Sequence, residues 1–249
     1  MKLRKISLFM MAVAMLATSL LAGCQGGSNK IVVAADATWP PMEYVDENKD
    51  MVGFDIDLMK AIAEEAGLEV EFKNVAWDGI FAGLAAGEYD AIISSVTITD
   101  ERREKYDFSE PYINAGQIVV VGADSDITGP DALGGSTVGA QIGTTGAMAI
   151  EEITDVTLKE YDEVGLAFED LVAGRIDAVV CDTPVAADFA LQRDEYKSAL
   201  KIVGDAFTDE YYGILVQKGN SDLLDKINAG LKAVQDKGLD KEFESEWLR

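Results

Sequence analysis

The chain has 249 residues, a formal net charge of −24, two cysteines and no histidine. Phosphate backbones are held by clustered Lys and Arg, so this excess of Asp and Glu disfavours a nucleic-acid partner and mildly favours cationic ligands. The missing imidazole removes the commonest general base and the commonest metal ligand, and no metal or cofactor is expected.

Lys2, Arg4 and Lys5 open the chain, an uncharged apolar run extends from Ile6 to about Leu20, and Leu21-Ala22-Gly23-Cys24 closes it. A basic start, a short apolar run and small residues before a cut site make a secretory leader rather than structure. A membrane-spanning helix needs about 20 apolar residues, slightly more than this run supplies. Small residues directly before Cys24 resemble a bacterial lipoprotein signal. That resemblance implies removal of residues 1–23, lipid on the Cys24 sulfur, and a mature protein anchored outside the cytoplasm on the cell membrane. In a Gram-negative envelope this location is the periplasm. One acyl chain anchors marginally and two or more anchor stably. Residues 24–29 then form a small, polar, flexible tether. With Cys24 lipidated, Cys181 has no intrachain partner, so stability must come from the core. The mature chain, about 226 residues, is long enough for one large core or two small ones.

Past the tether, Ile31-Val32-Val33-Ala34 reads as a strand. Phe54, Leu58, Ile62 and Ala66 recur every fourth residue, which predicts a helix face ending at Gly67. Leu68-Glu69-Val70-Glu71-Phe72 alternates as a strand does. Ile80, Phe81, Leu84 and Ala85 mark a second helix, and Ala91-Ile92-Ile93 a buried strand. Alternating strands and helices predict an α/β fold with helices packed on mainly parallel sheets.

An internal echo follows. Leu84-Ala85-Ala86-Gly87-Glu88-Tyr89-Asp90-Ala91-Ile92-Ile93 matches Leu171-Val172-Ala173-Gly174-Arg175-Ile176-Asp177-Ala178-Val179-Val180 at five of ten positions. Helix–Gly–strand is a common grammar, yet identity at half the positions favours two lobes built alike. Ligands of open α/β sheets sit beyond the carboxyl ends of the strands. Ser94-Ser95-Val96-Thr97 and Cys181-Asp182-Thr183, which follow the echoing strands, are therefore the first places to look. Hydroxyls facing a carboxylate suit a polar zwitterion. Gln117–Val121 and Tyr211–Val216 are candidates for paired crossings between the lobes. Leu223, Leu224, Ile227, Leu231 and Val234 fall at helical spacing, a second helix ends near Trp247, and this tail is expected to pack on the first lobe.

Several motifs resemble the polar amino-acid binding proteins of ABC importers. They are Asp36-Ala37-Thr38-Trp39-Pro40-Pro41-Met42-Glu43-Tyr44, Val52-Gly53-Phe54-Asp55-Ile56-Asp57-Leu58 and Ala91-Ile92-Ile93-Ser94-Ser95-Val96-Thr97-Ile98-Thr99-Asp100-Glu101-Arg102. Phe108-Ser109-Glu110-Pro111-Tyr112, Gly143-Thr144-Thr145-Gly146 and the Asp177–Pro184 segment add to the likeness, which spans nearly the whole mature chain. It implies a two-lobed clamp of the type II periplasmic-binding class with a two-strand hinge. Lobe 1 would hold residues 30–114 and 210–249, and lobe 2 residues 116–209. It also implies a monomer that delivers an L-amino acid to an ABC permease in the cytoplasmic membrane, without catalysis.

The same resemblance assigns roles. Arg102 would clamp the ligand carboxylate, since a planar guanidinium bonds both oxygens at once. Its flanks Glu101 and Glu104 equally suit a solvated ion pair, and Arg103 is the expected surface residue. Thr145 would donate to the same carboxylate, beside backbone N–H groups at a helix start. Asp182 would hold the ammonium, although it or Thr183 would also serve as a helix N-cap before Pro184. Ser94, Ser95 and Thr97 would complete the hydrogen bonds. Trp39 and Trp77 would flank the ligand side chain, with core packing the competing role of Trp77. Asp36 would supply a distal anion and Gln141 a neutral contact. This set favours arginine, with lysine or histidine weaker and glutamine the alternative. Relatives that prefer glutamine can carry His in place of Cys181 and Lys in place of Gln141, and both departures weaken that alternative. The rival of another class is a dehydratase-type enzyme on the same fold.

Overall fold

The computed structural model of the protein describes residues 29–248. The leader, the Cys24 lipidation site and the tether up to Ser28 lie outside the described residues.

Two five-stranded sheets organise the chain. In the first, strands run in the order Glu69–Asn74, Lys30–Ala35, Ala91–Ile92, Leu215–Gln217 and Tyr106–Phe108. The first three are parallel, and Leu215–Gln217 is antiparallel to both its neighbours. In the second sheet the order is Thr157–Tyr161, Thr137–Gln141, Ala178–Asp182, Gln117–Gly122 and Leu200–Val203. Again three strands are parallel and the fourth is reversed against both neighbours. The sequence echo is thus a structural one. Ala91–Ile92 and Ala178–Asp182 hold the third place in their sheets, each preceded by a helix, Trp77–Ala86 or Val164–Val172. The turns between them place Gly87 (φ 75°) and Gly174 (φ 68°) in the left-handed region, where a side chain is strained.

Local patterns were realised as their periodicity demands. The Phe54–Ala66 helix buries Phe54, Leu58, Met59, Ile62 and Ala63 along one face and stops at Gly67, whose left-handed backbone donates to the Ala63 and Glu64 carbonyls. On the edge strand Glu69–Asn74, half-buried Val70 and Phe72 alternate with exposed neighbours. The tail forms helices Ser221–Lys237 and Leu239–Trp247, which pack on Phe54–Ala66. Leu223, Ile227, Leu231 and Val234 are buried there, each contributing roughly 1.5–3 kcal/mol by burial. Gly230 permits the close approach, because a Cβ at that position would lie 2.4 Å from the Ile62 carbonyl oxygen. Trp247 Nε1 then donates to Asp57 Oδ2 at 3.1 Å.

Gln117–Val121 and Tyr211–Val216, expected as paired crossings, do not pair with each other. Tyr211–Tyr212 pairs antiparallel with Ile113–Asn114, not with Gln117–Val121, and the remainder of the Tyr211–Val216 run, Leu215–Val216, lies inside the first sheet. Gln117–Gly122 lies inside the second sheet, between Ala178–Asp182 and Leu200–Val203. Its continuous apolar run is the signature of a strand covered on both faces, whereas a two-residue hinge ladder needs no such run.

Candidate functional site

The carboxyl ends of four strands point at one place. Asp36 follows Lys30–Ala35, Ser94 to Thr97 follow Ala91–Ile92, and Gln141 and Asp182 end Thr137–Gln141 and Ala178–Asp182. Strand direction brings these residues together from distant parts of the chain. Between the lobes they line a small cavity, whose walls are Asp36, Trp39, Glu43, Trp77, Ser94, Ser95, Thr97, Arg102, Gln141, Thr144, Thr145 and Asp182. All ten residues singled out in the sequence line it. Glu43 and Thr144 join them without having been expected.

Arg102 sits on the short helix Asp100–Lys105, capped by Thr99, whose Oγ1 accepts from the Arg102 N–H at 3.2 Å. Its neighbour Arg103 is exposed, while Arg102 is 9% exposed and turned inward. The guanidinium donates to the Thr97 carbonyl at 2.8 Å and, across the cleft, to the Gly143 carbonyl at 3.3 Å. It lies over Trp77 and Phe81, 5.7 and 5.2 Å from the ring centroids. Burial lowers its pKa, and Asp182 and Glu210 oppose that shift. A guanidinium fixed on carbonyls and ring faces is a preset receptor for a carboxylate.

Asp182 opens the Thr183–Ala187 helix without any side-chain capping bond, so its carboxylate is not spent as a cap. It is buried and accepts from Gln117 Nε2 at 3.1 Å. Burial, then the charge of Glu210, push its pKa up to about 7. An entering ammonium would reverse that shift. Glu210, named in the sequence only as a segment boundary, accepts from Thr97 Oγ1 (2.9 Å), Thr145 Oγ1 (2.6 Å) and Gln117 Nε2 (3.3 Å). Thr97 and Thr145 lie 3.2 Å apart across the cleft. Thr145, expected to meet a ligand carboxylate, and Thr97, expected to complete the hydrogen bonds, thus already hold a protein carboxylate.

At the other end of the cavity, Asp36 accepts from Thr38 Oγ1 at 2.9 Å and from Gln141 Nε2 at 3.0 Å, a second bond between the lobes. Burial raises its pKa. Trp39 and Trp77 are 7% and 8% exposed, so each both packs in a core and lines the cavity. Ser94 and Ser95 face inward to carboxylates. Ser94 Oγ accepts from the Asp36 N–H at 2.9 Å and donates to Glu43 Oε1 at 2.7 Å. The Ser95 N–H donates to Asp55 Oδ2 at 2.6 Å from a left-handed backbone, φ 49°. Thr144 caps the Thr145–Glu151 helix. Cys181 is buried in the second lobe's core and is not among the lining residues, and burial pushes its thiol pKa up.

Two buried acids, Glu43 and Asp55, escaped sequence reasoning. Their motifs marked the family but carried no local sign of burial. Asp55 shares the first turn of a helix with Asp57, and nothing in the sequence says which of the two faces inward.

The comparisons with known proteins agree with this architecture. Residues 31–249 match the family described as bacterial extracellular solute-binding proteins, family 3. The chain is 31% identical over 221 residues to the L-cystine-binding protein TcyJ of Escherichia coli (strain K12), covering 88% of this chain and 82% of that protein. Among solved structures it is similar to an ancestral arginine-binding protein bound to arginine, with a TM-score of 0.84 at 41% identity over 89% of this chain and 99% of that one. It is also similar to AncCDT-1, an ancestral amino acid-binding protein and precursor of cyclohexadienyl dehydratase, with a TM-score of 0.82 at 37% identity over 89% and 96%. With a match that runs from the first strand through both sheets to the last residue, the chain belongs to the bacterial extracellular solute-binding proteins, family 3.

Proposed function

We propose that this protein is the extracytoplasmic substrate-binding component of an ABC amino-acid importer, and that it takes a basic L-amino acid, arginine before lysine or histidine, between two closing lobes. Membership of the family places its work outside the cytoplasm. In this reading Cys24 carries the lipid anchor, lobe 1 comprises residues 30–114 and 210–249, lobe 2 comprises 116–209, and the monomer hands ligand to a permease.

The observation that carries the specificity is the charge inventory of the cavity. Arg102 is lined up against Asp36, Glu43 and Asp182. The α-carboxylate and α-ammonium of any L-amino acid take up Arg102 and Asp182, with Thr145, Thr97 and the serines completing the shell. Asp36 and Glu43 then remain for the ligand side chain, with Trp39 and Trp77 lining the same cavity. A buried carboxylate without a cation is costly, and a guanidinium relieves that cost while stacking on indole, worth roughly 0.5–2 kcal/mol. Glutamine is the second reading, because its primary amide can donate to Asp36, and Gln141 is a neutral partner already bonded there.

Titration calorimetry of unfolded, ligand-stripped and refolded protein against the twenty amino acids tests the proposal. Heat with arginine, weaker heat with lysine and histidine, and none with aspartate are expected. Silence towards all twenty rejects it. Asp36→Asn should weaken arginine more than glutamine, and equal losses would remove the specificity argument. The likeness to a dehydratase precursor calls for one further measurement: incubation with prephenate and arogenate should show no turnover.

A further inference from the structure

Glu43 is fully buried, lines the cavity, and is used by nothing in the zwitterion clamp. It stands on the strand Glu43–Val45, with Oε1 accepting from Ser94 Oγ at 2.7 Å and Oε2 from Ser95 Oγ at 3.4 Å. Behind it lies Asp55, in the first turn of the Phe54–Ala66 helix. Asp55 Oδ2 accepts from the Ser95 N–H (2.6 Å), Ser95 Oγ (3.3 Å) and the Tyr112 hydroxyl (2.9 Å), while Oδ1 has no donor. Ser95 Oγ lies 3.4 Å from Glu43 Oε2 and 3.3 Å from Asp55 Oδ2, so the two carboxyl groups are close neighbours about one hydroxyl. Two buried anions at that distance cannot both stay ionised, so they share one proton. Burial and the Asp55 charge drive the Glu43 pKa well up, with Asp36 adding to the effect.

Trp39 is the cross-strand neighbour of Glu43, and the polar groups near the Glu43 carboxyl are acids and hydroxyls. Asp36 comes from the end of Lys30–Ala35, Asp55 from the helix, Ser94 and Ser95 from the loop after Ala91–Ile92, and Tyr112 reaches it through Asp55. Arg102 and Asp182 line the same cavity. Arg102 is engaged with the Thr97 and Gly143 carbonyls rather than with Glu43. The partner that Glu43 lacks is therefore one a ligand can bring.

We propose that Glu43 is a second specificity residue of the cavity: a cationic side chain entering beside Asp36 displaces the proton that Glu43 shares with Asp55, and Glu43 then faces the cation as a carboxylate. The proton leaves to solvent, and no other bond changes. This inference rests on the amino-acid reading of the cavity. Its consequence is that a basic ligand releases a proton that its neutral isostere retains in the site. Proton release from Asp182 accompanies any α-ammonium and cancels between the two.

Calorimetry in phosphate and in Tris, buffers of unlike ionisation enthalpy, counts released protons directly. At about pH 7, arginine should release up to one proton more than citrulline, which has the same shape and no charge. Glu43→Gln should abolish the difference and cost arginine about tenfold more affinity than citrulline. Asp55→Asn should shrink the difference while arginine still binds, because Glu43 then ionises before ligand arrives. Equal proton release by arginine and citrulline in the wild-type protein overturns the proposal, and so does a difference that survives Glu43→Gln. If citrulline gives no heat, the arginine proton count in wild type against Glu43→Gln decides. Absence of all amino-acid binding rejects the functional reading itself, whereas arginine binding without the extra proton rejects only the role of Glu43.

Discussion

Arg102 and Arg103 are neighbours of the same type with opposite fates. Arg103 is exposed, while Arg102 turns onto two carbonyls and two aromatic rings. Removing it would leave a ligand carboxylate facing no cation in a cavity of buried residues. Arg102→Ala and Asp182→Ala should each weaken arginine by about 2–5 kcal/mol, the cost of stranding one charge of a buried pair. Arg102→Lys should fall between, since an ammonium cannot form the two-pronged contact. Calorimetric losses below about tenfold for both alanine variants would remove these assignments. Asp182 adds a pH dependence whose sign is fixed. Its folded pKa, pushed up to about 7, exceeds an unfolded value of about 4. The folded chain therefore holds a proton that the unfolded chain gives up, and stability without ligand declines as pH rises from about 4 to about 7. Affinity for the ammonium runs the other way and rises through about pH 7, because the ionised form binds it. Urea melts and titrations across that range, with Asp182→Asn flattening both trends, provide the check.

The tail helix Ser221–Lys237 shows how element packing overrides local preference. Helix propensity alone favours Ala over Gly by about 1 kcal/mol in a helix interior. At Gly230 the added methyl would lie 2.4 Å from the Ile62 carbonyl oxygen and 3.0 Å from Ile62 Cγ2. A backbone oxygen inside the facing helix has nowhere to retreat, and overpacking typically costs about 1–3 kcal/mol. Gly230→Ala should therefore lower stability, by about 1–2 kcal/mol net, in urea unfolding. A stabilised variant would show that the two helices slide apart freely. The echoed Trp77–Ala86 and Val164–Val172 units were legible in the sequence because helix period, Gly stop and buried strand are all local signals. The pairing of Ile113–Asn114 with Tyr211–Tyr212 was not, since a ladder of two residues has no period to detect.

At the scale of the whole molecule, the contacts at the cavity that span the proposed lobes are Arg102 to the Gly143 carbonyl, Gln141 to Asp36, Thr97 to Thr145, and both Thr145 and Gln117 to Glu210. They join groups that surround the proposed ligand, so ligand contacts from both lobes would be available together only when the clamp is shut. Binding then shifts an open–closed equilibrium by the difference in affinity between the two forms. Solution scattering should show a smaller radius of gyration on adding arginine to stripped protein. An unchanged radius despite calorimetric heat would place binding on one lobe alone.

The fold class, the duplicated lobe plan and ten cavity residues were accessible from the sequence, because periodicity and family motifs are written along the chain. What they face was not. Glu43 meets Ser94 across 51 residues, and Thr97 meets Glu210 across 113. Whether an acid is a solvated surface charge or a buried one sharing a proton depends on those distant partners and on the water they exclude. Only the assembled sheets, by directing four strand ends into one crevice, set that local dielectric and so decided which carboxylates are free to meet a cation.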